Sequence, residues 1–165
     1  MSLFSFLPEN ARARDVWNIR PGLESAWQVL PSRVLTAPSE LSKSEKAVIA
    51  AYYSILKGYG TQAGAEQLIE EVFGVRLSLD GRALRQVIEG SERDLDGGKF
   101  APILAYVHKL ATASYKLMQR DADKVLSAGW GERTLTDVVV ICATMSMYVS
   151  TMLGHCIDPP GAIDA

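Results

Sequence analysis

The chain has 165 residues, 48% of them hydrophobic and 22% charged, a globular composition that excludes an intrinsically disordered protein. Seventeen Lys and Arg against nineteen Asp and Glu leave a net charge of −2, without the basic excess that neutralises phosphates, so neither nucleic acid nor a membrane surface is an expected partner. Cys142 and Cys156 form no CxxC pair and His108 stands far from His155, so no disulfide scaffold, metal site or cofactor is expected.

Met1 to Pro8 is mildly apolar, but no basic residue precedes it and no long apolar run or cleavage site follows, so a cytoplasmic protein is expected. Gly and Pro punctuate long segments and few stretches alternate strictly, which predicts an all-helical chain. It reads as one domain over residues 1–165, with a core from about 20 to 158, a short N-terminal arm and a C-terminal tail. Pro21 to Leu35 carries Leu23, Trp27, Leu30 and Val34 at helical spacing, either one amphipathic helix or a pair broken at Pro31. Ser42 followed by Glu45 is a capping-box pattern opening the uncharged run Ala47 to Leu56, which should form a central helix. After Gly58 and Gly60 a second helix is expected over Thr61 to Phe73, with Ala65, Leu68, Ile69 and Val72 on one face.

A shorter helix is expected over Asp80 to Ile88, a loop over Gly90 to Lys99, and helices over Ala101 to Leu117 and Gln119 to Ala128, the latter ended by Gly129. The final helix should run from Glu132 to Leu153 despite the strand propensity of Val138 to Ile141. The uncharged run Val138 to Gly154 is shorter than the roughly 20 residues of a membrane span and carries Thr144, Ser146, Ser150 and Thr151, so a buried helix is the better reading. Asp158 to Gly161 should end ordered structure in a polar tail.

The stretch from Leu23 to Gly60, with Leu23, Ala26 and Trp27 before Leu41, Ser42 and Glu45, an Ala-rich helix and then Gly58, resembles the peroxidase-related branch of the alkylhydroperoxidase D-like and carboxymuconolactone decarboxylase superfamily. PILAYVHKLA (Pro102 to Ala111) and AGWGERTLTDVVVICA (Ala128 to Ala143) are similar to later stretches of that family. The resemblance implies an all-α, alkylhydroperoxidase D-like helical fold that assembles as an oligomer. It also locates the family's redox centre, a Cys-x-x-Cys-x-x-x-His motif directly after the Gly, with a relay Glu twelve positions before the first Cys. In this sequence those positions are Tyr59, Gln62, Glu66 and Ala47. A phenol and an amide cannot supply the thiolate and resolving thiol of peroxide reduction. The resemblance therefore implies a member without thiol peroxidase activity, acting as a homo-oligomer or a binder of a small-molecule ligand. A non-redox lyase acting on a small carboxylated substrate, with Tyr59 and Glu66 transferring protons, is the alternative.

Tyr59, Gln62 and Glu66 are expected to share one helical face and to project into a pocket near the last helix. Glu45 is explained by capping, and Cys142, among Val, Ile and Met, reads as an inert small hydrophobe. Adjacent His155 and Cys156 are the remaining thiol candidate, opposed by the negative end of the helix they terminate. His108 reads as a satisfied surface histidine, and Met145, Met147, Met152 and Tyr148 as core or subunit interface.

Overall fold

The structure is a computed structural model describing residues 7–8, 11–20, 22–74 and 98–160. Seven helices, a short 3-10 turn and no strand occur among these residues: α1 (Ala13–Trp17), α2 (Leu23–Thr36), α3 (Lys43–Leu56), α4 (Ala65–Phe73), α5 (Ala101–Ala113), the turn Ser114–Lys116, α6 (Gln119–Ser127) and α7 (Glu132–Gly154). The helix expected over Asp80 to Ile88, and the loop after it up to Gly97, lie outside the described residues.

Helix α3 is the centre of the bundle, packed against α2, α4, α5 and α7. It starts where the capping box places it: the Ser42 hydroxyl accepts the Glu45 N–H (3.2 Å) and the Glu45 carboxylate accepts the Ser42 N–H (2.7 Å). Lys46 to Ser54 are then all buried. Burial of Lys46 is the feature that patterning misses. Its ammonium donates to the carbonyls of Ala37 (2.7 Å), Val34 (3.3 Å) and Leu35 (3.5 Å), placing a cation on the negative end of α2. Burial pushes its pKa down, and the nearby Asp137 carboxylate opposes that shift.

Helix α2 runs unbroken through Pro31, which settles the alternative of a broken pair. Proline removes the N–H that would bond the Trp27 carbonyl, yet the ring is buried and the flanking Trp27 and Leu35 anchor both halves to the core. Helix α7 forms as expected because Val138, Ile141, Cys142, Met145, Val149 and Met152 recur at three- and four-residue spacing and are all buried. By length and composition it is the one helix among the described residues that could cross a membrane, and it packs against α2, α3, α5 and α6. Glu40 accepts the Gly131 N–H (3.0 Å) and the Thr134 hydroxyl at its N-terminus, a carboxylate on the positive end of the helix.

The chain stays ordered beyond the point where a polar tail was expected. Helix α7 closes with paired bonds from the Cys156 N–H to the Leu153 carbonyl and from the Ile157 N–H to the Met152 carbonyl, a Schellman motif that returns Ile157 to the core. Pro160 is buried as well, against the turn before α4. A Cβ on Gly64 would sit 2.2 Å from the Pro160 carbonyl oxygen, so only glycine permits this contact.

Candidate functional site

Of the four positions that the resemblance assigns to a redox centre, the structure buries two and leaves one half-buried and one on the surface. Ala47 is enclosed within α3, and Tyr59 is fully buried. Gln62 is half-buried in a turn, and Glu66 is exposed in the first turn of α4, where its charge complements the helix dipole. The expectation of one shared helical face is corrected here, since α4 begins at Ala65 rather than at Thr61.

The cause is the end of α3. Gly58 takes a left-handed conformation (φ 76°), its N–H bonds to the Ile55 carbonyl (3.0 Å), and the Tyr59 N–H bonds to the Ser54 carbonyl (2.9 Å). This is a second Schellman motif, and the residue after its glycine folds back onto the core. Tyr59 is that residue, so its side chain turns inward while Gln62 and Glu66 stay outside. Its hydroxyl donates to the Asp158 carbonyl (3.2 Å), and its ring meets the Tyr148 ring edge-on, centroids 5.9 Å apart.

The thiol candidates do not come together. Cys142 is buried, and burial pushes its pKa up to about 12, opposite to the shift that a nucleophilic thiol needs. Cys156 is exposed at the left-handed position that closes α7 (φ 53°), and the His155 ring nitrogen Nδ1 is bonded to the Thr151 carbonyl (2.8 Å). Both cysteines are free thiols.

A cavity is walled by α1, α2 and the face of α4 that carries Gln67, Glu70 and Glu71, with a volume of about 510 Å³. Its apolar wall is built by Trp17 and Trp27, stacked 4.6 Å apart at 13°. Behind them Tyr148 stacks on Trp27 at 5.5 Å, so four rings run without interruption from Trp17 to Tyr59. Glu71 accepts the Ala13 N–H (3.2 Å) and faces the phenols of Tyr59 and Tyr148. Burial, followed by the Glu71 charge, raises the pKa of both phenols, so they are neutral donors at physiological pH. The Tyr148 hydroxyl and the Trp17 Nε1 are both buried and have no hydrogen-bond partner among the described residues.

Sequence reasoning missed Trp17, Arg12 and Glu71 because nothing local marks them; the cavity exists only once α1 docks against α4. Trp27 was legible as an apolar position of α2, and Tyr148 as a core residue of α7. None of Tyr59, Gln62 and Glu66, which were expected to project into a pocket, is among the described residues walling this cavity.

No family model and no curated protein matches the chain by sequence. By structure it is similar to an uncharacterized peroxidase-related protein from Silicibacter sp. TM1040, at a TM-score of 0.67 and 16% identity, over 90% of this chain and 75% of that one. The chain thus has the all-helical fold of a peroxidase-related protein.

Proposed function

We propose that this protein is a non-peroxidatic member of the peroxidase-related branch of the alkylhydroperoxidase-like and carboxymuconolactone decarboxylase superfamily. In this reading it is a single-domain, cytoplasmic homo-oligomer that binds a small molecule between α1, α2 and α4. The supporting observation is the buried phenol of Tyr59 where the family resemblance calls for a peroxidatic thiol, joined through the Tyr148 ring to Trp27 in the wall of an aromatic-lined cavity. A thermal-shift screen of small organic molecules tests it, run on the native protein and on Gln67→Trp, which fills the cavity from an exposed helical position. A specific ligand at a hundred times its Kd adds about 2.7 kcal/mol to the native protein and little to the variant. The absence of any ligand, or equal shifts in both proteins, would remove the binding function.

The lyase alternative is carried by a different residue than the resemblance implied. Glu66 is exposed, whereas Glu71 lies at the cavity wall facing two neutral phenols, which is an arrangement suited to moving a proton on a bound carboxylated substrate. Turnover of such a substrate that survives Glu66→Gln and is lost in Glu71→Gln would favour this reading over simple binding.

A further inference from the structure

Helix α7 turns an uncharged seam to solvent. Val140, Ala143, Met147 and Ser150 are all exposed and follow one another at steps of three, four and three residues, so they form one narrow stripe along the helix. The opposite face, with Val138, Ile141, Cys142, Met145 and Val149, is buried in the core of the same chain. A seam of this spacing is the pattern by which one helix packs along another, and the sizes of its residues select the partner and its direction.

Val140 and Met147 are large, whereas Ala143 and Ser150 are small. Laid antiparallel on the same helix of a second copy, about a twofold axis at Met145, Met147 of one copy meets Ala143 of the other and Val140 meets Ser150. Every layer then pairs a large side chain with a small one, which fills the seam evenly and lets the helices approach closely. A parallel pair would set Met147 against Met147 between layers of two alanines and two serines, alternately crowded and hollow. Charge selects the same direction. The antiparallel pair brings the Arg133 end of one α7 to the Asp158 end of the other, where a parallel pair would set Arg133 against Arg133. Both residues are exposed, and Arg133 has no ion pair among the described residues.

Area agrees once α2 is included. A stable interface covers about 800 Å² on each partner. One helix face of 23 residues, about 35 Å long and about 10 Å wide, falls short of that. Leu23, Val29 and Leu30, exposed on the adjoining α2, widen the apolar surface towards it. We propose that a second copy of this chain covers α7, with the two α7 helices antiparallel about a twofold axis at Met145. The proposal rests on the homo-oligomer reading given above and names its surface and direction.

The test is pulsed dipolar spectroscopy of the full chain in a Cys156→Ser background, where the remaining Cys142 is buried. Single spin labels go on Ser146→Cys, Val139→Cys or Glu132→Cys, along one flank of the seam. The antiparallel pair makes the label separation grow by about 3 Å for each residue moved away from Met145, so it is shortest at Ser146 and longest at Glu132. Arg133→Glu and Asp158→Arg should each weaken the dimer several-fold, and the double reversal should restore it. Equal separations at the three positions overturn the antiparallel direction, and a double reversal no tighter than the single ones overturns the pairing of the helix ends. A mass above 18.0 kDa with no measurable distance between labels overturns the surface and leaves the oligomer. A monomer at micromolar concentration overturns the oligomer as well, and one that sediments with phosphatidylcholine vesicles gives the face of α7 to a lipid surface instead.

Discussion

The phenol of Tyr59 donates to the main-chain carbonyl of Asp158, 3.2 Å away across 99 positions of sequence. This bond ties the turn after α3 to the segment after α7, and the two parts of the chain meet again where the Pro160 carbonyl packs against Gly64. A position that the family resemblance assigns to redox chemistry thus holds the end of the chain in place. Tyr59→Phe keeps the ring packing against Tyr148 and removes the hydroxyl, leaving the carbonyl unpaired. The expected loss is about 1 kcal/mol, read as a lower urea midpoint at unchanged m-value. An unchanged midpoint would show that the bond contributes nothing to stability.

Gly64 is the more severe test of the same contact. Gly64→Ala places a methyl group 2.2 Å from a backbone oxygen, and neither partner is a flexible side-chain end. The expected cost is about 1–3 kcal/mol, as for other overpacked sites. Gly154→Ala, where an added Cβ meets nothing within 4 Å, is the control and should leave the melting temperature within a degree or two or raise it. Equal effects of the two substitutions would show that the 157–160 segment does not dock against this turn.

The cysteines should be dispensable for any peroxide turnover. Cys142 is buried with its pKa pushed up to about 12, and Cys156 occupies a cap position that glycine fills at least strain. Peroxide consumption with a thiol reductant is expected to be at background and unchanged in a Cys142→Ser, Cys156→Ser double variant. Cys156→Gly relieves a left-handed conformation and should raise stability by about 1 kcal/mol. Substantial peroxide turnover that the double variant abolishes would restore the displaced-thiol reading.

Acid should destabilise the bundle through two carboxylates at helix starts. Hydrogen bonds from Thr134 and Gly131 hold the Glu40 carboxyl below its ordinary pKa, and those from Lys109 (2.5 Å) and the Met118 N–H (2.9 Å) do the same for Asp121. A depressed folded-state pKa contributes stability that is complete above the unfolded value of roughly 4 and is lost as pH falls through the depressed one. The urea midpoint is therefore expected to be flat from pH 7 to about 5 and to decline below about 4. Glu40→Gln and Asp121→Asn should each lower the midpoint at pH 7 and flatten the acid decline. A decline of the same steepness in both variants would assign the acid sensitivity to other groups.

Helix periodicity and caps made most of the bundle legible, because Ser42 and Glu45 and the apolar spacing of α4, α5 and α7 are local signals that the tertiary structure does not override. Local reasoning failed where a long-range contact decides. Thr61 to Gly64 reads as the first turn of α4, yet these residues form a turn outside it, because Gly58 ends α3 in a left-handed cap and Pro160 packs on Gly64. Asp158 to Pro160 reads as a solvated tail by composition and is held by Tyr59 and Gly64 instead. Lys46 carries no sequence mark of burial, since its ammonium is satisfied by carbonyls nine to twelve residues upstream. The site was half legible: the family resemblance led to Tyr59 and helical spacing extended its face to Glu66, while Glu71 lies further along α4 and acquires its role from α1 and α7.

Self-association is the remaining expectation, and the structure narrows its basis to one helix. The uncharged run of α3 is mostly consumed within the chain, every residue from Ala47 to Ser54 being buried and Ile55 and Leu56 half-buried, so it leaves little for a partner. Helix α7 differs. Beyond Asp137 it carries no charge, yet Val139, Val140, Met147 and Leu153 are 38–48% exposed, with exposed Ala143 and Ser150 between them. Its neighbour α2 also exposes Leu23, Val29 and Leu30. Apolar surface on adjacent helices marks an interaction face, and a face that a second copy also presents can close with twofold symmetry. Light scattering is expected to give a mass that is a multiple of the 18.0 kDa chain, and Met147→Lys, which puts a charge in the middle of the α7 face, should shift it towards the monomer with little loss of helicity. A native protein that is monomeric at micromolar concentration would remove the oligomer from the proposed function and leave the exposed face of α7 to another partner.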